Sequence, residues 1–228
     1  TRLTWLSLGN NQISDIGPLV ANGGLAGGDH VDLRENPLSP EALNVHIPEL
    51  EGRGVAVEFT VHSMHIPDPN LEAAVRDALS KPVGDITLAD MASLTILNAN
   101  SRDIQDLTGI EHGTNLTELN LDGNQISDIG PLVSLTNLDR LILDGNQIID
   151  IGPLSSLTNL NGLFLYNNQI IDIGPLSSLT NLEKLWIYNN QINDIGPLSS
   201  LTNLDALNLT DNQISDIGPL SSLTNLNT

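Results

Sequence analysis

The chain of 228 residues contains no cysteine. That absence removes disulfide frameworks, thiolate nucleophiles and cysteine-ligated zinc together. It fits the cytosol and also the many bacterial surface proteins that lack cysteine, so it does not fix a compartment. Basic residues are scarce: 8 Lys and Arg stand against 28 Asp and Glu, a formal charge of −20. Residues 1–65 hold 3 basic and 8 acidic side chains, and the remainder 5 and 20. Both stretches repel polyanions, which argues against nucleic acid or anionic membrane partners. No apolar run approaches the ~18 residues of a spanning helix, so membrane insertion is not expected. No targeting peptide is evident.

What the chain does have is a period. Leu94, Leu116, Leu138, Leu160, Leu182 and Leu204 open successive 22-residue units, and Leu3 opens one more near the N-terminus. One unit reads LTELNLDGNQISDIGPLVSLTN (116–137), the next LDRLILDGNQIIDIGPLSSLTN (138–159). Seven apolar positions recur in each, as Leu116, Leu119, Leu121, Ile126, Ile129, Leu132 and Leu135. No unit can bury seven apolar side chains alone, but stacked units share one continuous core. The Gly-Pro after each Asp-Ile breaks any regular α-helix there.

The pattern L-x-x-L-x-L-x-x-N-x-I is the signature of leucine-rich repeats. Its length and the DIGPL…LTNL wording resemble the short bacterial class to which internalins belong. The resemblance implies an α/β leucine-rich repeat solenoid with a parallel sheet on its concave side. It further implies short 3₁₀ or irregular convex segments, a helical N-terminal cap and a place outside the cell or on its surface.

Two ladders follow from the period. Asn11, Asn124, Asn146, Asn168, Asn190 and Asn212 share a position just after the strand, where a carboxamide can both donate to and accept from turn backbone. Arg102 replaces Asn in the first unit of the long array. Asp15, Asp106, Asp128, Asp150, Asp172, Asp194 and Asp216 form the second ladder, read as turn and capping hydrogen bonds. Calcium bridging is the sharper alternative, but one carboxylate per repeat supplies too few oxygens.

Four segments are expected: a single repeat with a closing-type cap (1–60), a linker (61–65), an opening-type cap (66–93) and six repeats plus a stub (94–228). In the opening-type cap, Asp68-Pro69 starts an amphipathic helix over 68–79, and Thr87-x-x-Asp90 suggests a second helix start. In the other cap a Gly-rich loop (22–30) leads to a strand at 31–33. Ser39-Pro40 then opens a helix, and 55–59 alternates as a last strand. That loop lacks the Lys-Ser/Thr of a phosphate cradle. His62 and His65 are too few for a metal site, and neither a metal nor a cofactor is expected.

No catalytic constellation emerges, since the carboxylates are dispersed by the repeat and no nucleophile sits in a recognised elbow. The variable strand positions carry more. Five of the six aromatic residues, Trp5, Phe164, Tyr166, Trp186 and Tyr188, fall between repeat leucines, where side chains point outward. Four of them sit on adjacent strands, and Arg140 and Lys184, the only Lys or Arg after Arg102, share their face. Cross-strand packing accounts for such residues in one reading; a protein- or glycan-binding face accounts for them in the other.

The order of the caps has a consequence of its own. The last unit has no cap after it, exposing apolar side chains and a strand edge. A stack of seven strands is ~34 Å long, whereas a six-residue linker reaches only ~20–22 Å. Cover is therefore expected from another molecule. Leu3, Leu6 and Leu8 of one copy would meet Leu204, Leu207, Leu209, Ile214 and Ile217 of the next, a head-to-tail contact that forms filaments or rings. A window cut from a longer tandem array is the alternative.

Overall fold

The computed structural model describes residues 4–39, 41–61 and 64–226. Leu3, Pro40, His62 and Thr228, which enter the expectations above, lie outside them. The chain forms two compact units, residues 1–64 with 85–93, and residues 65–84 with 94–228.

In the first unit, β1 (Trp5–Ser7) is followed by a single helical turn, α1 (Gly17–Val20), with Pro18 at its start. Next comes β2 (His30–Asp32). A π-type turn over Ala42–His46 then runs into α2 (Ile47–Gly52), and β3 (Ala56–Glu58) follows. Ser39 accepts the Ala42 N–H through Oγ at 3.1 Å, the capping its sequence position implies. The strands form one parallel sheet in the order β1-β2-β3, with Leu6 beside Val31 and Val31 beside Val57. Ile16, Val31, Leu33, Ile47, Leu50 and Val55 make its core.

Between residues 65 and 93 the chain passes from one unit to the other. Helix α3 (Pro69–Leu79) belongs to the second unit and α4 (Leu88–Ser93) to the first. Asp68 caps α3, accepting the N–H groups of Asn70 and Leu71 on Oδ1, while Oδ2 accepts those of Gln105 and Asp106. Burial opposes its ionisation, but these four donors win and hold the carboxyl below its usual range. Thr87 and Asp90 cap α4 reciprocally: each backbone N–H donates to the other's side chain, at 2.8 and 3.0 Å.

The rest of the second unit is repetitive. Six strands, β4 (Ile96–Asn98), β5 (Glu118–Asn120), β6 (Arg140–Ile142), β7 (Gly162–Phe164), β8 (Lys184–Trp186) and β9 (Ala206–Asn208), form one parallel sheet in sequence order. Leu97, Leu119, Leu141, Leu163, Leu185 and Leu207 are mutual register partners, so each strand pairs with the residue 22 further on. Opposite the strands lie 3₁₀ turns, from Gly130–Ser134 to Gly218–Ser222. The Asp of each turn spends its Oδ1 on the N–H of the following Gly, as Asp150 does on Gly152 at 2.7 Å and Asp194 on Gly196 at 2.8 Å. The first turn of each repeat uses one left-handed residue, filled in order by Ser101, Gly123, Gly145, Asn167, Asn189 and Asp211. Asn10 holds the same place in the first unit. Gly and Asn carry that conformation at least cost.

The asparagine ladder binds each repeat to its predecessor. Asn168 donates through Nδ2 to Leu165 O of its own turn and to Leu143 O of the repeat before, and its Oδ1 accepts the Ile148 N–H at 3.0 Å. Asn124, Asn146, Asn190 and Asn212 repeat this scheme. In the first unit the bridging member is Asn36, bonded to Leu8 O and Leu33 O and receiving the Ile13 N–H. Asn11 is exposed and, among the described residues, bonds only within its own turn. The signal for Asn36 was present, since Leu33-Arg-Glu-Asn36 copies the spacing of Leu8-Gly-Asn-Asn11.

Burial is complete inside the array and lapses at its last repeat. Ile195 is 1 % exposed, and its counterpart Ile217 70 %. Leu207, Leu209 and Ile214 are half-buried, as are Leu6 and Leu8 of the first unit. Leu204, expected at the open face, is fully buried, because its N–H closes the preceding repeat's turn on Leu201 O.

Replacing Asn168 with Ala should lower stability by about 3 kcal/mol, since it orphans buried N–H and C=O groups in two repeats. Asn11→Ala should cost well under about 1 kcal/mol at its exposed site. Urea denaturation followed by circular dichroism measures both, and equal losses would refute the bridging role.

Candidate functional site

The outward positions of β6, β7 and β8 and of the turns that follow them gather six of the sequence-expected residues. A shallow hollow is lined by Asn120, Asp122, Arg140, Ile142, Asp144, Phe164, Tyr166, Lys184 and Trp186. Gly162 makes it possible: a Cβ there would stand 3.3 Å from the Phe164 ring, so the ring lies back over the glycine. Arg140 covers that ring at 4.8 Å and approaches Glu118 at 3.8 Å, and Trp186 meets it edge-on at 5.2 Å. Phe164 is therefore buried, deeper than alternation alone implied, and Trp186 is the exposed ring at 42 %. Tyr166 and Tyr188 stack on each other, 4.5 Å apart and 6° from parallel. Lys184 is exposed beside them.

Trp5 lies elsewhere, on the three-stranded sheet of the first unit. It stacks on His30 at 3.9 Å, next to an Asp32–Arg34 pair in which the guanidinium holds the carboxyl down to about 2.

Asp122 and Asp144 line the same hollow but were not singled out from the sequence. Their importance comes from the neighbouring repeat. Where an Asn occupies the last strand position, its side chain accepts the N–H two residues on, as Asn120 does for Asp122 and Asn208 for Thr210. Phe164 cannot do this for Tyr166, so Asp144 from the preceding repeat accepts that N–H instead, at 2.9 Å. Asp144 is thereby drawn down until it is only 3 % exposed. Burial first, and the Asp122 charge second, push its carboxyl up to about 7 against the Tyr166 hydrogen bond. Burial and the same two carboxylates also raise the Tyr166 phenol. Among the described residues no group of three or more His, Cys, Asp and Glu side chains is placed to hold a metal ion. No described helix is long and apolar enough to cross a membrane.

A parallel strand and a 3₁₀ turn in every repeat, joined by buried asparagines, define a leucine-rich repeat solenoid, and its concave side is the face just described. Family models agree: "Leucine Rich repeats (2 copies)" matches residues 114–156, 136–178 and 158–201, and "Leucine Rich repeat" matches 200–218. One crystal structure narrows the class. An internalin C2 from Listeria monocytogenes is 41% identical over 70% of this chain and 81% of its own, with a TM-score of 0.56. An internalin from the same organism is 28% identical over 71% and 74%, with a TM-score of 0.43. A comparison with curated proteins gave no match. The chain belongs to the internalin-like family of leucine-rich repeat proteins.

The raised Asp144 carboxyl sets a pH dependence. Between about pH 4 and 7 the folded chain keeps a proton that the unfolded chain has lost. The contribution of this group to stability therefore falls as pH rises through that window. Asp144→Asn should melt at a higher temperature than the parent at pH 8, with the difference vanishing near pH 4. A difference that is constant from pH 4 to 8 would contradict the assignment.

Proposed function

We propose that this chain is a non-catalytic recognition module, acting outside the cell or on its surface, that binds a protein partner on the concave centre around Trp186. One observation carries the reading: the outward positions of β5 and β9 are polar or small, whereas four aromatic rings and both late basic residues converge on β6–β8 and the turns after them. Exposed aromatic residues with Arg neighbours are the usual anchors of protein interfaces. A protein segment suits this face better than a glycan. Tyr166 and Tyr188 each cover one face of the other, and Phe164 is buried, so Trp186 is the most exposed ring of this face open to a sugar. Panning a displayed peptide library against the chain should yield clones whose binding falls at least tenfold on Trp186→Ala combined with Tyr188→Ala, with the melting temperature preserved. Clones that bind parent and variant equally would remove the site.

A second reading rests on the two open repeat faces. Inside the array each Ile N–H finds the Asn of the next repeat, as Ile192 finds Asn212 at 3.1 Å. Among the described residues Ile214 N–H has no such acceptor, and Asn11 Oδ1 no donor. The two ends are thus complementary in polar as well as apolar groups. Head-to-tail docking would place Asn11, Leu6 and Leu8 of one copy against Leu209, Ile214 and Ile217 of another. In this reading the single repeat at 1–60 and its closing-type cap cover the array of a second molecule, giving filaments or rings. A covalently continuing repeat would satisfy the same face, and concentration dependence separates the two. Light scattering should give a mass that rises with concentration and falls on Asn11→Ala; a constant monomer mass would end this reading.

A further inference from the structure

We propose that the hollow holding Asp122 and Asp144 receives a cationic nitrogen, the ammonium or guanidinium of a basic side chain on the protein partner. The inference rests on the concave reading above and specifies its chemistry. Asp144 is nearly wholly buried yet only half satisfied: Oδ1 accepts the Tyr166 N–H, and among the described residues the other oxygen has no hydrogen bond. That oxygen is not sealed off from the hollow that Asp144 lines, so a charged donor entering there meets a largely desolvated carboxylate and can form a charge-assisted hydrogen bond.

The groups around it favour a cation. Asp122, from the preceding repeat, adds a second carboxylate, and Glu118 lies on that same repeat's strand. Tyr166 supplies an aromatic wall, backed by Tyr188, and such walls attract cations. Two cations line the same hollow, and among the described residues neither forms an ion pair with Asp122 or Asp144. Arg140 is turned onto Phe164 and Glu118. Lys184 is on β8, two strands from β6, and its register partner there is Arg140 and not Asp144. The formal charge of −20 draws a basic partner from a distance as well. An acidic side chain would meet Asp122 and Asp144 at close range.

The probe is the tripeptide acetyl-Leu-Arg-Leu-amide, with twins carrying citrulline or glutamate in place of arginine. Trp186 fluorescence reports binding in a Trp5→Phe background, where it is the sole tryptophan. At pH 8 the arginine peptide should bind at least tenfold more tightly than the citrulline twin, which matches it in shape without the charge. Asp122→Asn and Asp144→Asn should each erase most of that preference while the melting curve stays cooperative. The preference should shrink from pH 8 to pH 5.5 as Asp144 takes up its proton. Equal affinity for the arginine and citrulline peptides, or preference for the glutamate twin, overturns the cation site and leaves the concave reading standing. Silence from all three peptides also overturns it, and the concave reading then stands or falls by the library experiment.

Discussion

A carboxamide buried between two turns is the interaction on which the remaining structure depends. A leucine-rich turn leaves backbone N–H and C=O groups pointing into an apolar interior, where each needs a partner. One asparagine per repeat satisfies its own turn and the turn before it, so no repeat is complete without its neighbour. The bond from Asn to the carbonyl 25 residues back and the bond from the N–H 20 residues back fix register as firmly as the strand ladder does. Leucine packing alone would tolerate small slips between layers. The carboxamide does not, because a shift of one residue along either strand would present a donor to a donor.

That constraint explains why so much of the fold was legible. A side chain with an obligatory role recurs at an obligatory spacing, so the 22-residue frame, the strand positions and the Asp-to-Gly turn bonds could all be read from the letters. The helices that Asp68 and Thr87 begin were readable for a similar reason, since capping is local chemistry. Asn36 was overlooked although it obeys the same spacing, because it lies in a segment whose other residues depart from the repeat. The depth of Phe164 was not legible: alternation gives the side of the sheet a residue faces, and only the neighbouring Gly162 and Arg140 decide how far the ring sinks.

The candidate site arises from the same economy of backbone partners. In a repeat with asparagine at the strand's end, the outer turn is satisfied from within and the surface stays polar and plain. Substituting Phe164 removes that internal acceptor and supplies an anchor ring in one step. The freed Tyr166 N–H then recruits Asp144 from the repeat before it, and the recruited carboxyl loses its water. A titratable group near neutrality is thus a by-product of seating an aromatic residue on this frame. Sequence inspection one repeat at a time cannot see it, because donor and acceptor are 22 residues apart.

The same bookkeeping of donors and acceptors separates the middle of the array from its last layer. In the described interior layers the Ile N–H is already taken by the Asn of the next repeat. The outer layer offers Ile214 N–H together with half-buried leucines, and the first unit offers Asn11 with Leu6 and Leu8 in the matching frame. Apolar surface alone would stick to many partners. A hydrogen-bond pattern that only another repeat can satisfy gives such a face selectivity, because a misregistered layer would bury the orphaned N–H without an acceptor. The asparagine that binds each repeat to its predecessor within the chain is therefore also the group that the proposed head-to-tail contact would use.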